Sequence, residues 1–378
     1  MTQGNGLLVH EWISQSGGSE KVFAELARAF PDADLRVLWS DVESPFGNRP
    51  VDESWLARTP LRRSKAAALP FMPGAWRGIP SSGSYDWMLV SSHLFAHNAR
   101  VRGRSQPRVK LVYVHTPARY IWTPELDARG DSLVARTASK LLKPLDRRRA
   151  AEATDLAANS EYVRQRIADT WQLDSRVIYP PVDTARIAAG APWVDRLDAQ
   201  DADVLASLPD DFILGASRFI PYKRLDVAIA AGEAVSRPVV LAGSGPEEAR
   251  LRAVAEEAGV PVHFVLAPSD ALLYALFEKA SVFVFPPIED FGIMPVEAMA
   301  CGTPVIANSV GGAGESVGVC GGGVLLDTFD RQSLHDAITT VEAIDGEALR
   351  KRVDRFSSER FQQGIQEWVA SMIERETT

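Results

Sequence analysis

Only two cysteines occur in this chain of 378 residues, Cys301 and Cys320. Their spacing fits no metal motif and the sequence has no secretory context, so both read as reduced, small, buried residues. Long apolar runs are missing too. None approaches the roughly 18 to 20 residues that a bilayer crossing requires, and the N-terminus, MTQGNGLLVHEW, lacks the basic region and extended apolar core of a signal peptide. A cytoplasmic protein is expected. Positive charge is in deficit: the formal net charge is −8, which argues against nucleic acid as a partner. No DxD-type carboxylate pair sits in a persuasive context, so no metal and no bound cofactor are expected.

What is present is the profile of a globular protein, 46% hydrophobic and 24% charged, long enough for two domains. The charge is unevenly spread. Residues 1–190 carry 26 Lys and Arg against 20 Asp and Glu, and the remainder 15 against 29. Much of the surplus lies in LRRSKAAALPFMPGAWRG (61–78) and RTASKLLKPLDRRRA (136–150). Each mixes cations with large apolar side chains, a composition suited to an anionic membrane surface. Solvated helix faces with snorkelling Arg and Lys account for them equally well.

Short apolar runs alternate with longer helical patterns. GLLVH (6–10), LRVLW (35–39), WMLVSS (87–92), KLVYVH (110–115) and LAANS (156–160) predict buried strands in the first half. FILGAS (212–217), PVVLAG (238–243), VHFVL (262–266), VFVFP (282–286), PVIAN (304–308) and GVLL (323–326) do so in the second. Continuous apolar strands separated by helices imply parallel sheets covered on both faces, hence two doubly wound α/β domains. Strand patterning lapses over 184–211, which places a boundary near residue 190 and domains at 1–190 and 191–356. Ligands of such sheets bind beyond the carboxyl ends of strands, so residues just after strands carry the most information.

One of these segments, FPPIEDFGIMPVEAMACGTPVIA (285–307), puts Glu289 and Glu297 on either side of a glycine turn and a helix start. Pro295 suits the first helical position, with Glu297 in the first turn. Alone, Glu297 is explained by favourable interaction with the helix dipole. Paired with Glu289, it predicts two acceptor-only groups able to grip sugar hydroxyls beside free helix-end N–H groups. SRFIPYKRLDVAI, after another strand, offers Arg218 and Lys223 to a diphosphate. AGSGPEEARL (242–251) gives a Gly-rich turn that signals either a phosphate or a close backbone approach. HEWISQSGGSEKV (10–22) supplies the Gly17-Gly18 turn before a helix.

Together these blocks resemble the retaining glycosyltransferases of family 4. EDFGIMPVEAMACGTPVIA looks like that family's E-x7-E region, and SRFIPYKRLDVAI, AGSGPE, AANSEYVRQRI and VIYPPVD match its recurring blocks across most of the chain. HEWISQSGGSEKVF, SSHLFAHNA and YVHTPARYIW resemble the subgroup of bacterial O-antigen and exopolysaccharide mannosyltransferases. The resemblance implies the GT-B fold, two facing Rossmann-like domains with a cleft between them, the first for acceptor and the second for donor. It implies that Glu297 binds the ribose and that Glu289 holds the donor sugar, near the backbone N–H groups of Gly292, Ile293 and Met294. Arg218 and Lys223 would neutralise the diphosphate, the Gly17-Gly18 turn would approach it from the first domain, and His115 would stand beside the sugar. Ser91, Ser92 and His93 are weaker acceptor-side candidates. A terminal helix (about 357–378), with Phe361, Ile365, Trp368, Val369 and Met372 at helical spacing, would cross back onto the first domain and hinge the cleft. The sequence departs from the family in FVLAPSDALLYALFEKA (264–280), where a glycine is usual near Leu266 in a region that contacts the nucleobase.

The expected activity is metal-independent, retaining transfer of a hexose, mannose from GDP-mannose by the subgroup resemblance, to a glycan or lipid-linked acceptor. Front-face attack, with the leaving phosphate oxygen taking the acceptor's proton, would make both glutamates positioning groups. Alternatives are a UDP- or TDP-sugar donor, a GT-B-like nucleotide-sugar epimerase, or a sugar-binding protein without chemistry.

Overall fold

The computed structural model describes residues 4–14, 17–80, 84–103, 106–122, 133–190 and 192–377, without the side chains of 120 and 133–141. The chain forms two compact units, 1–181 with 358–378, and 182–357.

The first unit is a seven-stranded parallel sheet in the order β3-β2-β1-β4-β5-β6-β7. Its strands are β1 (Gly6–His10), β2 (Asp34–Val37), β3 (Val51–Glu53), β4 (Trp87–Ser92), β5 (Val109–Val114), β6 (Asp155–Ala158) and β7 (Arg176–Val177). Every residue of β1, β4 and β5 is buried, because alternate side chains enter separate cores on the two faces. Leu7, Val9, Met88, Val90, Val112 and Val114 meet Trp39, Trp76 and Trp171. Leu8, Trp87, Leu89, Leu111 and Tyr113 meet Phe23 and Leu26 of the helix Gly18–Ala29 on the other face.

That second core also takes Phe361, Ile365, Trp368, Val369 and Met372 from the terminal helix Ser358–Thr377. Polar contacts pin its flanks. Trp368 Nε1 donates to Asp155 Oδ2 at 2.9 Å, Gln362 to Glu25 Oε2 at 2.6 Å, and Gln366 to the Ala29 carbonyl at 2.8 Å.

In the second unit six parallel strands run β10-β9-β8-β11-β12-β13. They are β8 (Ile213–Ala216), β9 (Val239–Gly243), β10 (Val262–Leu266), β11 (Val282–Phe285), β12 (Val305–Asn308) and β13 (Gly323–Leu326). Ile213, Val239, Leu241, Val282, Val284 and Ile306 form one core with the helices Asp226–Val235 and Arg331–Val341.

The predicted strands all form, several of them one residue or so shorter or shifted. Two strands were not predicted, β3 and β7. At three and two residues they are short, polar sheet edges, the kind that resists further pairing and leaves little apolar pattern to read. The division falls at 181/182 rather than 190/191, because Val182 bridges Ser357 and donates its N–H to the Phe356 carbonyl at 2.8 Å. Residues 61–78 fold as a series of single turns and short helices. Among the described residues no helix is long and apolar enough to cross a membrane.

Candidate active site

Strand order in the second sheet reverses between β8 and β11. Loops leaving the carboxyl ends on the two sides of such a switch diverge, and the space between them accepts a ligand. The loop after β8 carries Arg218 and ends in the tight turn Pro221–Lys223; the loop after β11 carries Glu289. Across the switch, Lys223 Nζ meets Glu289 Oε1 at 2.5 Å, with the side chains 10% and 19% exposed. The ammonium also lies 5.1 Å from the Tyr222 ring and 5.5 Å from Phe285. A pair this shielded is tightly coupled, since loss of one charge leaves the other uncompensated. Arg218 is exposed, and its guanidinium has no hydrogen-bond or ion-pair partner among the described residues. The two cations are therefore not equivalent: one is committed to a carboxylate and the other is not.

The helix Ile293–Ala300 starts after Gly292, whose φ of 82° lies in the left-handed region. A Cβ there would sit 2.6 Å from the Ala313 Cβ, so glycine is required for conformation and for space. This start shifts two expectations. Pro295 is the third helical residue, still within the turn whose N–H groups lack intrahelical partners, and Glu297 lies beyond the first turn. Gly292 turns the chain into the helix ahead of the proline. The N–H groups of Gly292, Ile293 and Met294 belong to the open helix end, on half-buried residues.

Glu297 is buried and accepts from Tyr274 Oη at 3.4 Å. Tyr274 packs on the Trp193 ring at 4.7 Å, with the Arg186 guanidinium 5.8 Å over its own ring. Burial, then the Glu297 charge, pushes the Tyr274 phenol well above its ordinary value, so it stays a hydrogen-bond donor.

Glycines from two other loops support this framework. The helix Gly312–Cys320 begins after Gly311, and Gly312 N donates to the Glu289 carbonyl at 2.7 Å. A Cβ on Gly312 would lie 2.1 Å from the Asp290 carbonyl oxygen, so Gly311-Gly312 is the seat on which the Glu289 loop rests. After β9, a Cβ on Gly243 would come within 1.9 Å of the Ser217 carbonyl oxygen, while Phe219 N donates to the Ser244 carbonyl at 2.8 Å. The AGSGPE turn thus makes a close backbone approach that braces the Arg218 loop. At the end of β10, Leu266 is exposed and Ala267 adopts φ 46°. Alanine here takes the conformation that a glycine adopts freely.

The first sheet reverses between β1 and β4, and histidines gather at that switch. Ser91 Oγ lies 2.8 Å from His115 Nε2 and 3.0 Å from His10 Nδ1. The His93 ring is 5.7 Å from His10, 6.2 Å from His115 and edge-on to Trp12 at 4.9 Å. Burial, then His93 and His10, holds His115 well below its ordinary pKa. Burial and His93 do the same to His10, and burial lowers His93.

Ser92 is not brought to this cluster. Strand alternation turns it to the opposite face, where its Oγ meets His97 Nδ1 at 3.3 Å. His97 Nε2 is 3.0 Å from Asp146 Oδ1, and Asp146 Oδ2 accepts the indole N–H groups of Trp122 and Trp171, each at 2.7 Å. Burial pushes the Asp146 carboxyl up, but His97 and these donors outweigh it and hold it below the ordinary range. Gly17 is the extended N-cap of its helix, and a Cβ on it would strike the Glu20 carboxylate at 2.0 Å. That helix end is covered by its own Glu20, which Ser14 and Ser19 also hydrogen-bond.

Four features of the site were not read from the sequence. His10 follows the pattern that singled out His115, a histidine closing a buried strand. Glu11, fully buried, accepts the N–H groups of Leu94, Phe95 and Ala96 at 2.9, 2.7 and 2.6 Å and fixes the loop after His93. Gly311-Gly312 repeats the glycine pair before a helix seen at Gly17-Gly18. Tyr274 gave no signal, since its partner Glu297 is 23 residues away. Among the described residues no group of three or more His, Cys, Asp or Glu is placed to hold a metal ion.

Comparison with known proteins matches residues 16–186 to the family described as Glycosyltransferase Family 4 and residues 198–360 to Glycosyl transferases group 1. A D-inositol 3-phosphate glycosyltransferase of Actinosynnema mirum is 30% identical over 217 residues, 52% of this chain and 51% of that protein. A GDP-mannose-dependent alpha-(1-6)-phosphatidylinositol monomannoside mannosyltransferase of Mycolicibacterium smegmatis is 32% identical over 203 residues, 48% of this chain and 50% of its own. The chain therefore spans about half the length of these curated relatives. The crystal structure of Anabaena HepE in complex with UDP-glucose superposes with a TM-score of 0.66 at 19% identity, over 97% of this chain and 99% of that one. Sucrose-phosphate synthase from Thermosynechococcus elongatus gives 0.68 at 19% identity, over 98% and 100%. At such identities these two bear on the fold.

Proposed function

The chain belongs to the glycosyltransferases of family 4, with the two Rossmann-like units of the GT-B fold, and from that premise we propose that it transfers a hexose, with retention and without a metal, from a nucleoside diphosphate sugar to a hydroxyl of a glycan or lipid-linked acceptor. The second unit binds the donor. The observation that carries this reading is the Lys223–Glu289 pair at the β8/β11 switch, with uncommitted Arg218 on one side and the open helix end at Gly292 on the other. A diphosphate bound there meets one free guanidinium, one ammonium and helix-end N–H groups, all of them donors suited to the charge that grows as the phosphate departs. Glu289, already bonded to Lys223, keeps its remaining lone pairs for sugar hydroxyls, and Glu297, oriented by Tyr274, accepts from the ribose.

The acceptor hydroxyl attacks the anomeric carbon on the face from which the diphosphate leaves. The new glycosidic bond forms as the bond to the phosphate oxygen breaks, and that oxygen takes the proton. GDP-mannose is the donor favoured by the mycobacterial relative's name; a UDP- or TDP-sugar is the alternative. In the first unit, exposed Trp55 and Phe71 meet edge to face at 6.4 Å, and the segment that joins them carries exposed Arg58 and Arg63. This face suits contact with an anionic membrane surface, where a lipid-linked acceptor resides.

A thermal-shift panel of GDP, UDP, ADP and TDP with their sugar conjugates, in magnesium or EDTA, tests the reading. Ligand at about 100 times Kd stabilises the native state by about 2.7 kcal/mol. The expected result is a shift of several degrees, selective for GDP and insensitive to EDTA. Selectivity for UDP or TDP replaces the donor and keeps the chemistry, whereas no shift with any nucleotide removes the diphosphate site.

A further inference from the structure

Ser91 Oγ stands between two buried imidazoles, with His10 Nδ1 at 3.0 Å and His115 Nε2 at 2.8 Å. A hydroxyl has one hydrogen to give, so both ring nitrogens cannot accept from it and at least one must donate. Burial and neighbouring histidines keep both rings neutral, so each carries one N–H. Three arrangements remain. If both rings donate, the Ser91 hydrogen is left fully buried without an acceptor among the described residues. If His115 donates and His10 accepts, the His10 proton must lie on Nε2, which is buried and has no partner. If His10 donates and Ser91 passes its own hydrogen to His115 Nε2, the His115 proton lies on Nδ1, which unlike His10 Nε2 is not a fully buried atom without a partner, and only the His10 Nε2 lone pair goes unfilled. An orphaned buried N–H is the rarer and costlier defect.

We infer that Ser91 and His10 are positioning residues that hold His115 as its Nδ1–H tautomer, so that His115 offers a neutral hydrogen-bond donor to a sugar or phosphate oxygen and cannot serve as a base at that nitrogen. Resting on the transfer reading above, this gives His115 a hydrogen-bonding and not a proton-accepting role toward substrate and leaves the acceptor's proton to the departing phosphate oxygen. His10 acts without touching substrate, through two hydrogen bonds.

The test uses the full chain labelled with 15N-histidine, with His115 assigned by comparison with His115→Gln. Long-range proton–nitrogen correlation should show His115 protonated at Nδ1 in the wild type and shifted toward Nε2 protonation in Ser91→Ala. Ser91→Thr, which keeps a hydroxyl, should retain the wild-type pattern. Wild-type His115 protonated at Nε2, or a tautomer unchanged by Ser91→Ala, overturns the inference. If Ser91→Ala fails to fold, the wild-type spectrum still decides the tautomer and Ser91→Thr tests whether the hydroxyl suffices. Kinetically, Ser91→Ala should lower kcat about 10- to 100-fold, the cost of a misdirected buried hydrogen bond, with donor binding nearly unchanged and activity recovered in Ser91→Thr. The tautomer readout needs no nucleotide, so failure of the glycosyl-transfer reading would appear in the nucleotide panel and leave this result standing.

Discussion

Lys223 and Glu289 hold each other, and this divides the work among the charged residues of the second unit. On the proposed reading, Lys223 bears on charge that appears only as the phosphate leaves, whereas Glu297 contacts a ribose that is the same in ground and transition states. Substitution should separate the two in steady-state kinetics. Lys223→Ala is expected to lower kcat by about 10²-fold or more, on the scale of losing one preorganised donor. Glu297→Ala should chiefly raise the donor KM. A Lys223→Ala enzyme with wild-type kcat would remove Lys223 from the chemistry. Residue identity made these candidates legible in advance: a carboxylate or cation just past an apolar strand is visible in one dimension. The Lys223–Glu289 contact was not, because it spans 66 residues and depends on which strands become neighbours. Ser92 shows the same limit from the other side, since adjacency to Ser91 in sequence sends it to the opposite face of the strand.

At the scale of elements, the loops that carry Arg218 and Glu289 depend on glycines that admit backbone where a side chain would intrude. Gly292 combines a left-handed φ with a Cβ position 2.6 Å from Ala313. Gly292→Ala should destabilise the second unit by about 2–4 kcal/mol, from left-handed strain and overpacking together. Calorimetry checks this: the transition of residues 182–357 should fall and that of the first unit stay in place. A substitution without effect on either transition would show that the helix start relaxes freely. The helix and its glycine were readable from the sequence, but its first residue was not. Proline tolerates any position in the opening turn, so Pro295 alone could not place the cap. The edge strands β3 and β7 escaped notice for a related reason, as two or three half-exposed residues carry no periodicity.

For the whole molecule, the net charge of −8 masks a local surface of opposite character around Trp55 and Phe71. Flotation with phosphatidylglycerol vesicles should carry the protein upward at low salt, less so at high salt. Phosphatidylcholine vesicles should not carry it, and Trp55→Ala with Phe71→Ala should weaken the association. Equal binding to neutral vesicles, or none to anionic ones, would reduce this face to ordinary solvated surface. The basic composition of 61–78 was visible in the sequence. Trp55 lay outside that stretch and joined it only through the fold.

The terminal helix, which completes the first unit's second core, also orders events during synthesis. Residues 182–357 emerge from the ribosome as one uninterrupted unit and have all their partners once Ser357 is out. The first unit leaves earlier yet waits longer, because Trp87, Leu89, Leu111 and Tyr113 keep one face without Trp368, Val369 and Met372 until the helix Ser358–Thr377 has been made. Through that interval the nascent chain presents a finished unit 182–357 beside an unfinished sheet, and of the two units the one made first is the later to close.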